Sequence, residues 1–337
     1  MQLTFEQLKS VAQGAVRLTE SDGAVRFHRF TREQEELYRR TDEGFYRKTF
    51  CTAGVRLEFR TDSGWIGLDA EVSKATPSRT YFSFDVFSDG KPAGHMDNFP
   101  GGAPSGAYVF ETYPLGRFQK RFDLGPGEKT VSVVFPWGVG VGLHGVTLDD
   151  SSSVVPVRRD KTLLTFGDSI TQGYDVPRPS DRFAAKLAEH LGAEEFCKAI
   201  GGEVFFPPLA ETKEPFTPDQ ILVAYGTNDW KHTDRPVCRR NSRLFLEALR
   251  GNYPSAGIFV LTPLIRLDHG ETSAYGSFGL VERDVVEAAE GLGNVRVIRC
   301  RRFVPEDPGY FADRRIHPNE RGSAAFTAAL IDAVGTV

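Results

Sequence analysis

The 337-residue sequence has only four cysteines, Cys51, Cys197, Cys238 and Cys300, and they are scattered with no CxxC and no close pairing. That spacing offers neither a zinc knuckle nor a disulfide framework, so all four read as small buried or half-buried residues. The seven histidines are just as dispersed and none falls in an HExxH, so no motif calls for a metal or any other cofactor. Runs of lysine or arginine are missing as well. With a net charge of -4 the chain has no electrostatic footprint for nucleic acid or an anionic membrane, and neither is expected as a partner. No apolar run approaches the roughly 20 residues of a membrane span. The N-terminus, Met1 to Glu6, lacks the basic and then apolar pattern of a secretion signal, which reads as a soluble, cytoplasmic protein. A Gly-x-Ser-x-Gly elbow is absent too, since position 171 is Thr, and this removes the α/β-hydrolase reading. Oligomeric state leaves no trace in the sequence.

What is present supports two domains, because the length and the 40% hydrophobic content suffice for two cores. A short helix is expected near residues 4–16, where Thr4 and Gln7 have capping-box spacing. From about residue 50 the texture is that of half-buried strands: Val55 to Arg60 alternates apolar and charged, and Ile66, Leu68, Ala70 and Val72 share one face. Further strands are expected at 81–87, 107–111, 129–135 and 145–148, separated by turn-rich pieces at 88–92 and 100–104, with no helix between 50 and 155. This is a β-sandwich of jelly-roll kind, serving either as a packing partner that shapes one wall of a cleft or as a carbohydrate-binding module. Trp65, Tyr81 and Trp137 read as core or interface residues. The polar stretch Ser151 to Asp160 marks the join, giving a β-sandwich domain over 1–157 and a second domain over 158–337.

In the second domain strands and helices alternate. Strands are expected at 162–166, 221–225, 258–261 and 295–298, and helices from Ser180 to Leu191 and over 236–250, 277–292 and 320–334. That rhythm predicts right-handed βαβ units and a mainly parallel sheet covered on both faces, an α/β/α three-layer sandwich whose post-strand loops gather at one edge. Four stretches occupy such loops. They are Gly167-Asp168-Ser169-Ile170-Thr171-Gln172-Gly173, Ile200-Gly201-Gly202-Glu203, Gly226-Thr227-Asn228-Asp229 and His317-Pro318-Asn319.

In this order the four stretches resemble the signature blocks of the SGNH/GDSL hydrolase superfamily, over about residues 160–337. The resemblance implies a flavodoxin-like catalytic domain, and a preceding sandwich is similar to the arrangement in some bacterial carbohydrate acetyl esterases. It further implies a serine esterase, with Ser169 as nucleophile, His317 as base and an oxyanion hole made by the N–H groups of Ser169 and Gly202 and the amide of Asn228. The chemistry is consistent: a serine needs a base to attack an ester at neutral pH, and the developing oxyanion needs hydrogen-bond donors. In most members a carboxylate stands three residues before the histidine, but that place is Arg314 here. Asp313, four residues before, is the candidate to orient His317; the alternative is a Ser–His dyad oriented by a backbone carbonyl.

Blander roles stay open for each residue. Ser169 can be a turn or N-cap residue, Asn228 a loop brace, Gly201 and Gly202 turn residues, and His317 a cap for the last helix. Asp168 and Asp229 read as backbone braces. Phe205, Phe206, Trp230 and Tyr310 are candidates to line an acyl or alcohol pocket. The expected substrate is a small acyl ester, acetyl above all, of a carbohydrate or another polar alcohol. The rivals are a lysophospholipase or thioesterase, and a non-catalytic glycan-binding protein on a hydrolase scaffold.

Overall fold

A computed structural model describes residues 1–99 and 108–335. The expected turn 100–104 lies outside the described residues.

The N-terminal half is a sandwich of two antiparallel sheets. One runs in the order Ala12–Gln13, Arg56–Thr61, Lys129–Val134, Ser83–Ser88, Lys91–Asp97, with Val155–Pro156 pairing on Arg56–Thr61. The other runs Arg17–Ser21, Ala24–His28, Val139–Leu148, Trp65–Lys74, Gly116–Asp123. Period-two alternation builds the core: Ile66, Leu68, Ala70 and Val72 point inward from one sheet and meet Leu57, Phe59, Phe84, Val86, Val131 and Val133 of the other.

The short helix expected near residues 4–16 is Phe5–Val11, with its Thr4/Gln7 capping box, and it gives way to a short strand. Several other sequence expectations need correction here. Lys91–Asp97 is a strand although its Lys91-Pro92 start belongs to the expected turn 88–92; it lies at a sheet edge, where Pro92 interrupts no central ladder. Of the strand expected at 107–111, residue 107 lies outside the described residues, and Tyr108–Phe110 is instead a 3₁₀ turn, with Val109 tucked into an aromatic cluster. Two helices, Arg32–Thr41 and Glu43–Lys48, have no apolar stripe to announce them. The face that Arg32–Thr41 buries is Gln34, Glu35 and Tyr38, and Gln34 satisfies itself on Glu214 and Lys198.

The C-terminal half has a wholly parallel five-stranded sheet in the order Ala193–Cys197, Lys161–Gly167, Gln220–Ala224, Gly257–Leu261, Val295–Ile298. Alternate residues feed two faces. Leu164, Ile221, Val223, Ile258 and Val260 pack against helices Arg235–Asn252 and Gly279–Ala289, while Leu163, Leu222, Phe259 and Leu261 pack against Phe183–Leu191 and Glu320–Val334. The helix expected from Ser180 begins at Phe183, because Ser180 gives both its N–H and its hydroxyl to the buried Asp85 of the sandwich. After Lys161–Gly167 the chain steps to one side and then returns to the other, so a crevice opens beyond the end of that strand, where ligands of open α/β sheets bind.

Residues 29–50 tie the halves together. Phe30 and Tyr38 belong to the same core as Leu164 and Phe166. The fully buried Arg29 guanidinium donates to the carbonyls of Lys48, Cys51, Cys197 and Ala199. Truncating it would take a donor from all four carbonyls, at about 1–3 kcal/mol for each one left dry and unpaired; the Lys48 carbonyl keeps the Cys51 N–H, while Cys197 and Ala199 lead into Gly201 and Gly202.

Candidate active site

The strand Lys161–Gly167 ends in a single helical turn, Ser169–Gln172, capped by the Asp168 carboxylate, which accepts the Ile170 N–H at 3.0 Å. This turn lifts Ser169 to the crevice with 6% of its surface exposed. Burial pushes the Asp168 carboxyl up to about 7, offset in part by the Ile170 N–H and His317. Asp168 is a brace, as its position suggested. So is Asp229, whose carboxylate accepts the Phe205 N–H at 3.3 Å and which burial raises to about 6.

His317 comes from the loop before the last helix. Its Nε2 lies 2.8 Å from Ser169 Oγ and its Nδ1 2.8 Å from Asp313 Oδ2. The four-residue spacing works because Arg314 adopts a left-handed conformation, φ 57°, which curls the loop round the Asp313 carboxylate. Asp313 Oδ1 then accepts three backbone N–H groups, those of Arg315, Ile316 and His317, at 2.8–3.1 Å. Burial alone would raise this carboxyl, but the hydrogen bond and charge of His317 and these amides outweigh it and hold it well below the usual carboxylate range. A carboxylate and not a carbonyl therefore faces Nδ1. His317 does not cap the last helix; Asn319 does, accepting the Gly322 N–H at 3.1 Å.

The glycine pair stands opposite. Gly201 N–H donates to Gln172 Oε1 at 2.7 Å, and a Cβ there would sit 2.6 Å from the Tyr174 ring. Gly202 has φ 90°, a conformation other residues reach only under strain. No acceptor within the described residues takes the N–H of Ser169 or of Gly202. Asn228 Nδ2 donates one hydrogen to the Glu203 carbonyl at 3.0 Å, which fixes the amide and leaves its second hydrogen for a ligand. The Glu203 carboxyl is buried beneath, taking the hydroxyls of Tyr38 and Tyr225. Burial lifts it to about 8, more than those hydroxyls lower it.

Sequence reasoning missed several neighbours. Tyr174 stacks on His317 with ring centroids 5.7 Å apart, and Trp137 of the sandwich packs on Tyr174 at 4.8 Å. Lys48 Nζ donates to the Gly201 carbonyl at 2.6 Å, with burial lowering its ammonium below the ordinary lysine value. Asp175 brings a second carboxylate to His317, its Oδ2 3.4 Å from Nδ1. Adjacency to the first block was the one signal for Tyr174 and Asp175; Trp137 was expected as a core or interface residue but not beside the site, and Lys48 had no signal. The pocket expectation is corrected for Phe205 and Trp230, which are core residues at 1% and 0% exposure. Phe206 packs on Tyr38, and Tyr310 lies under Arg321.

Oxygen and nitrogen atoms of Asp175, Asp313 and His317 converge within 4.8 Å, a spacing a cation can use. Both Asp175 oxygens and both Asp313 oxygens already accept from protein donors, and the Arg79 guanidinium on Asp175 sets a positive charge beside them. No described helix is long and apolar enough to cross a membrane.

Residues 165–325 match the family model described as the GDSL-like lipase/acylhydrolase family. No curated protein matches the sequence. Among solved structures, the salicylyl-acyltransferase SsfX3 from a tetracycline biosynthetic pathway superposes with a TM-score of 0.79 at 22% identity, covering 97% of this chain and 95% of that one. A putative GDSL-like lipase from Bacteroides ovatus ATCC 8483 gives 0.77 at 18% identity, with 99% and 96% covered. A family two carbohydrate esterase from Clostridium thermocellum, in complex with cellohexaose, gives 0.63 at 16%, with 85% and 94% covered. At these identities the likeness is one of fold, and it extends over both the sandwich and the parallel sheet.

Proposed function

We propose that this chain, whose residues 165–325 form a GDSL-like lipase/acylhydrolase domain of SGNH type, is a serine esterase that removes small acyl groups, acetyl above all, from a carbohydrate or similar polar alcohol. The observation that carries the reading is the unbroken line Asp313 Oδ2, His317 Nδ1, His317 Nε2, Ser169 Oγ, with both hydrogen bonds at 2.8 Å. Asp313 holds the proton on Nδ1, so Nε2 faces the hydroxyl as an acceptor. As Ser169 Oγ attacks the ester carbonyl its proton passes to Nε2, and the imidazolium then protonates the departing alcohol. The tetrahedral oxyanion is received by the N–H groups of Ser169 and Gly202 and the spare hydrogen of Asn228, each worth about 3–4 kcal/mol of transition-state stabilisation. Water, deprotonated by Nε2, releases the acid from the acyl-enzyme. We draw the boundary between sandwich and catalytic domain at 157/158, between the last sandwich strand, Val155–Pro156, and the first parallel strand, Lys161–Gly167.

The preference for a carbohydrate ester is supported by the shape match to the cellohexaose-bound esterase. A second reading, acyl transfer to an alcohol in place of water, is favoured by the higher TM-score of the salicylyl-acyltransferase. Release of p-nitrophenol from its acetate, compared between the native chain and Ser169→Ala, tests the core of the proposal, and equal rates would remove it. A panel of acetylated sugars against acyl esters of increasing length then tests the substrate class; preference for long chains would favour the lysophospholipase or thioesterase reading. Partition of the acetyl group between water and an added sugar alcohol separates hydrolysis from transfer.

A further inference from the structure

Asp175 is a buried carboxylate, 0% exposed, in a left-handed backbone conformation with φ 67°. Such a conformation is strained for a non-glycine residue and persists only where its surroundings over-determine it. The surroundings here come from the sandwich. Arg79 grips Asp175 with two prongs, Nε to Oδ1 at 2.9 Å and Nη2 to Oδ2 at 2.7 Å, and Tyr81 donates its hydroxyl to Oδ1 at 3.1 Å. The oxygen that takes Arg79 Nη2 is the same Oδ2 that lies 3.4 Å from His317 Nδ1. Arg79 also stands over the Tyr174 ring at 5.4 Å, and Tyr174 stacks on His317.

We propose, resting on the serine-esterase reading above, that the sandwich takes part in proton transfer: Asp175 is a positioning residue for His317, and the Arg79 charge cancels that of Asp175 so that one net negative charge faces Nδ1. Among the described residues, the charged and titratable groups facing His317 are Asp313 on its own loop, Asp175 and Tyr174 beyond the Ser169 turn, and Asp168 before it. Arg315, beside it in sequence, is turned to Asp268. At Nδ1, Asp313 and Asp175 bring two negative charges and Arg79 one positive, which leaves the single negative charge of an ordinary triad. Without Arg79 two carboxylates would face one ring nitrogen. That favours the imidazolium, which cannot accept the serine proton.

The test is the pH profile of kcat/KM for p-nitrophenyl acetate in full-length variants. Arg79→Gln moves the acid limb to higher pH by about one unit or more, so activity at a pH below the limb falls roughly tenfold. Asp175→Asn leaves the Arg79 charge uncompensated and moves the limb the other way. The double variant Arg79→Gln/Asp175→Asn returns it to within roughly 0.3 unit of the native position, the non-additivity of a coupled charge pair. Arg79→Lys, which keeps the charge, stays near the native limb. A merely structural bridge would lower activity by one factor at every pH and track the melting temperature, and that result overturns the proposal. Should Arg79→Gln fail to fold, Tyr81→Phe carries the same test through loss of one hydroxyl. A small upward shift of the limb supports the proposal, and an unmoved limb overturns it. Ser169→Ala separates the two levels: if it stays active, the esterase reading has failed; if it is inactive while the Arg79→Gln profile runs parallel to the native one, this inference alone has failed.

Discussion

Replacing Asp313 by asparagine should harm the enzyme more than removing the side chain to alanine. Asp313 Oδ1 is committed to three backbone donors, Arg315, Ile316 and His317. In Asp313→Asn the amide oxygen must therefore take the Oδ1 place, and the NH₂ group must take that of Oδ2, 2.8 Å from His317 Nδ1. There it donates to Nδ1, driving the ring proton to Nε2, where it faces Ser169 Oγ and blocks the general base. A wrong tautomer of this kind costs about 10⁴-fold in kcat, or about 5.5 kcal/mol. Alanine forces no tautomer. With Asp313→Ala the Asp175 Oδ2, already 3.4 Å from Nδ1, becomes the carboxylate that holds the ring proton. The loss is then that of one charge-assisted hydrogen bond, about 1.5–3 kcal/mol, or roughly ten- to two-hundredfold. Alanine leaves the loop amides without their acceptor, so its melting temperature should fall more than that of asparagine. The assay is steady-state p-nitrophenyl acetate hydrolysis with thermal melts of the same preparations, run well below both melting temperatures. Asparagine within tenfold of native activity, or alanine less active than asparagine, refutes the reasoning.

Three further outcomes follow from the geometry. Asn228→Ala removes the side-chain donor proposed for the oxyanion and should lower kcat about 10²–10³-fold with KM little changed; a change confined to KM would place Asn228 in ground-state binding instead. Gly201→Ala puts a methyl group 2.6 Å from the Tyr174 ring, so it should displace the ring stacked on His317 and lower kcat together with the melting temperature; native kcat in the variant would mean that this stacking is dispensable. Burial holds the Glu203 carboxyl at about 8 against an ordinary 4.5, so the folded chain keeps a proton that the unfolded chain releases between those values. Its contribution to stability is full below pH 4.5 and is lost as pH rises through 8, at about 1.4 kcal/mol per unit as an upper limit. Glu203→Gln should therefore gain stability relative to the native chain between pH 5 and pH 9 in urea titrations, and a difference independent of pH would contradict the assignment.

Local pattern was enough for much of this protein. Period-two alternation at Ile66, Leu68, Ala70 and Val72 marked a sandwich strand, and the alternation of apolar runs with amphipathic helices after residue 160 marked the parallel sheet. Turn residues at strand ends marked Ser169, Gly202 and Asn228, because backbone that must bend sharply or approach a ligand advertises itself through glycine and small polar side chains. The resemblance, and not any local pattern, nominated Asp313, one place off the family's usual position and with a Ser–His dyad as the alternative. Only tertiary structure decided that it reaches His317: the left-handed Arg314 that closes the loop is unannounced by an arginine, a residue that does not favour that conformation. Tertiary structure alone also brought Arg79, Tyr81, Trp137 and Lys48 to the site. Their partners lie 37 to 153 positions away in the chain, from Tyr174, stacked on Trp137, to Gly201, bonded to Lys48. No periodicity links residues at such separations. Their positions follow from how two cores pack and from a polar helix face whose burial is satisfied by hydrogen bonds instead of by an apolar stripe.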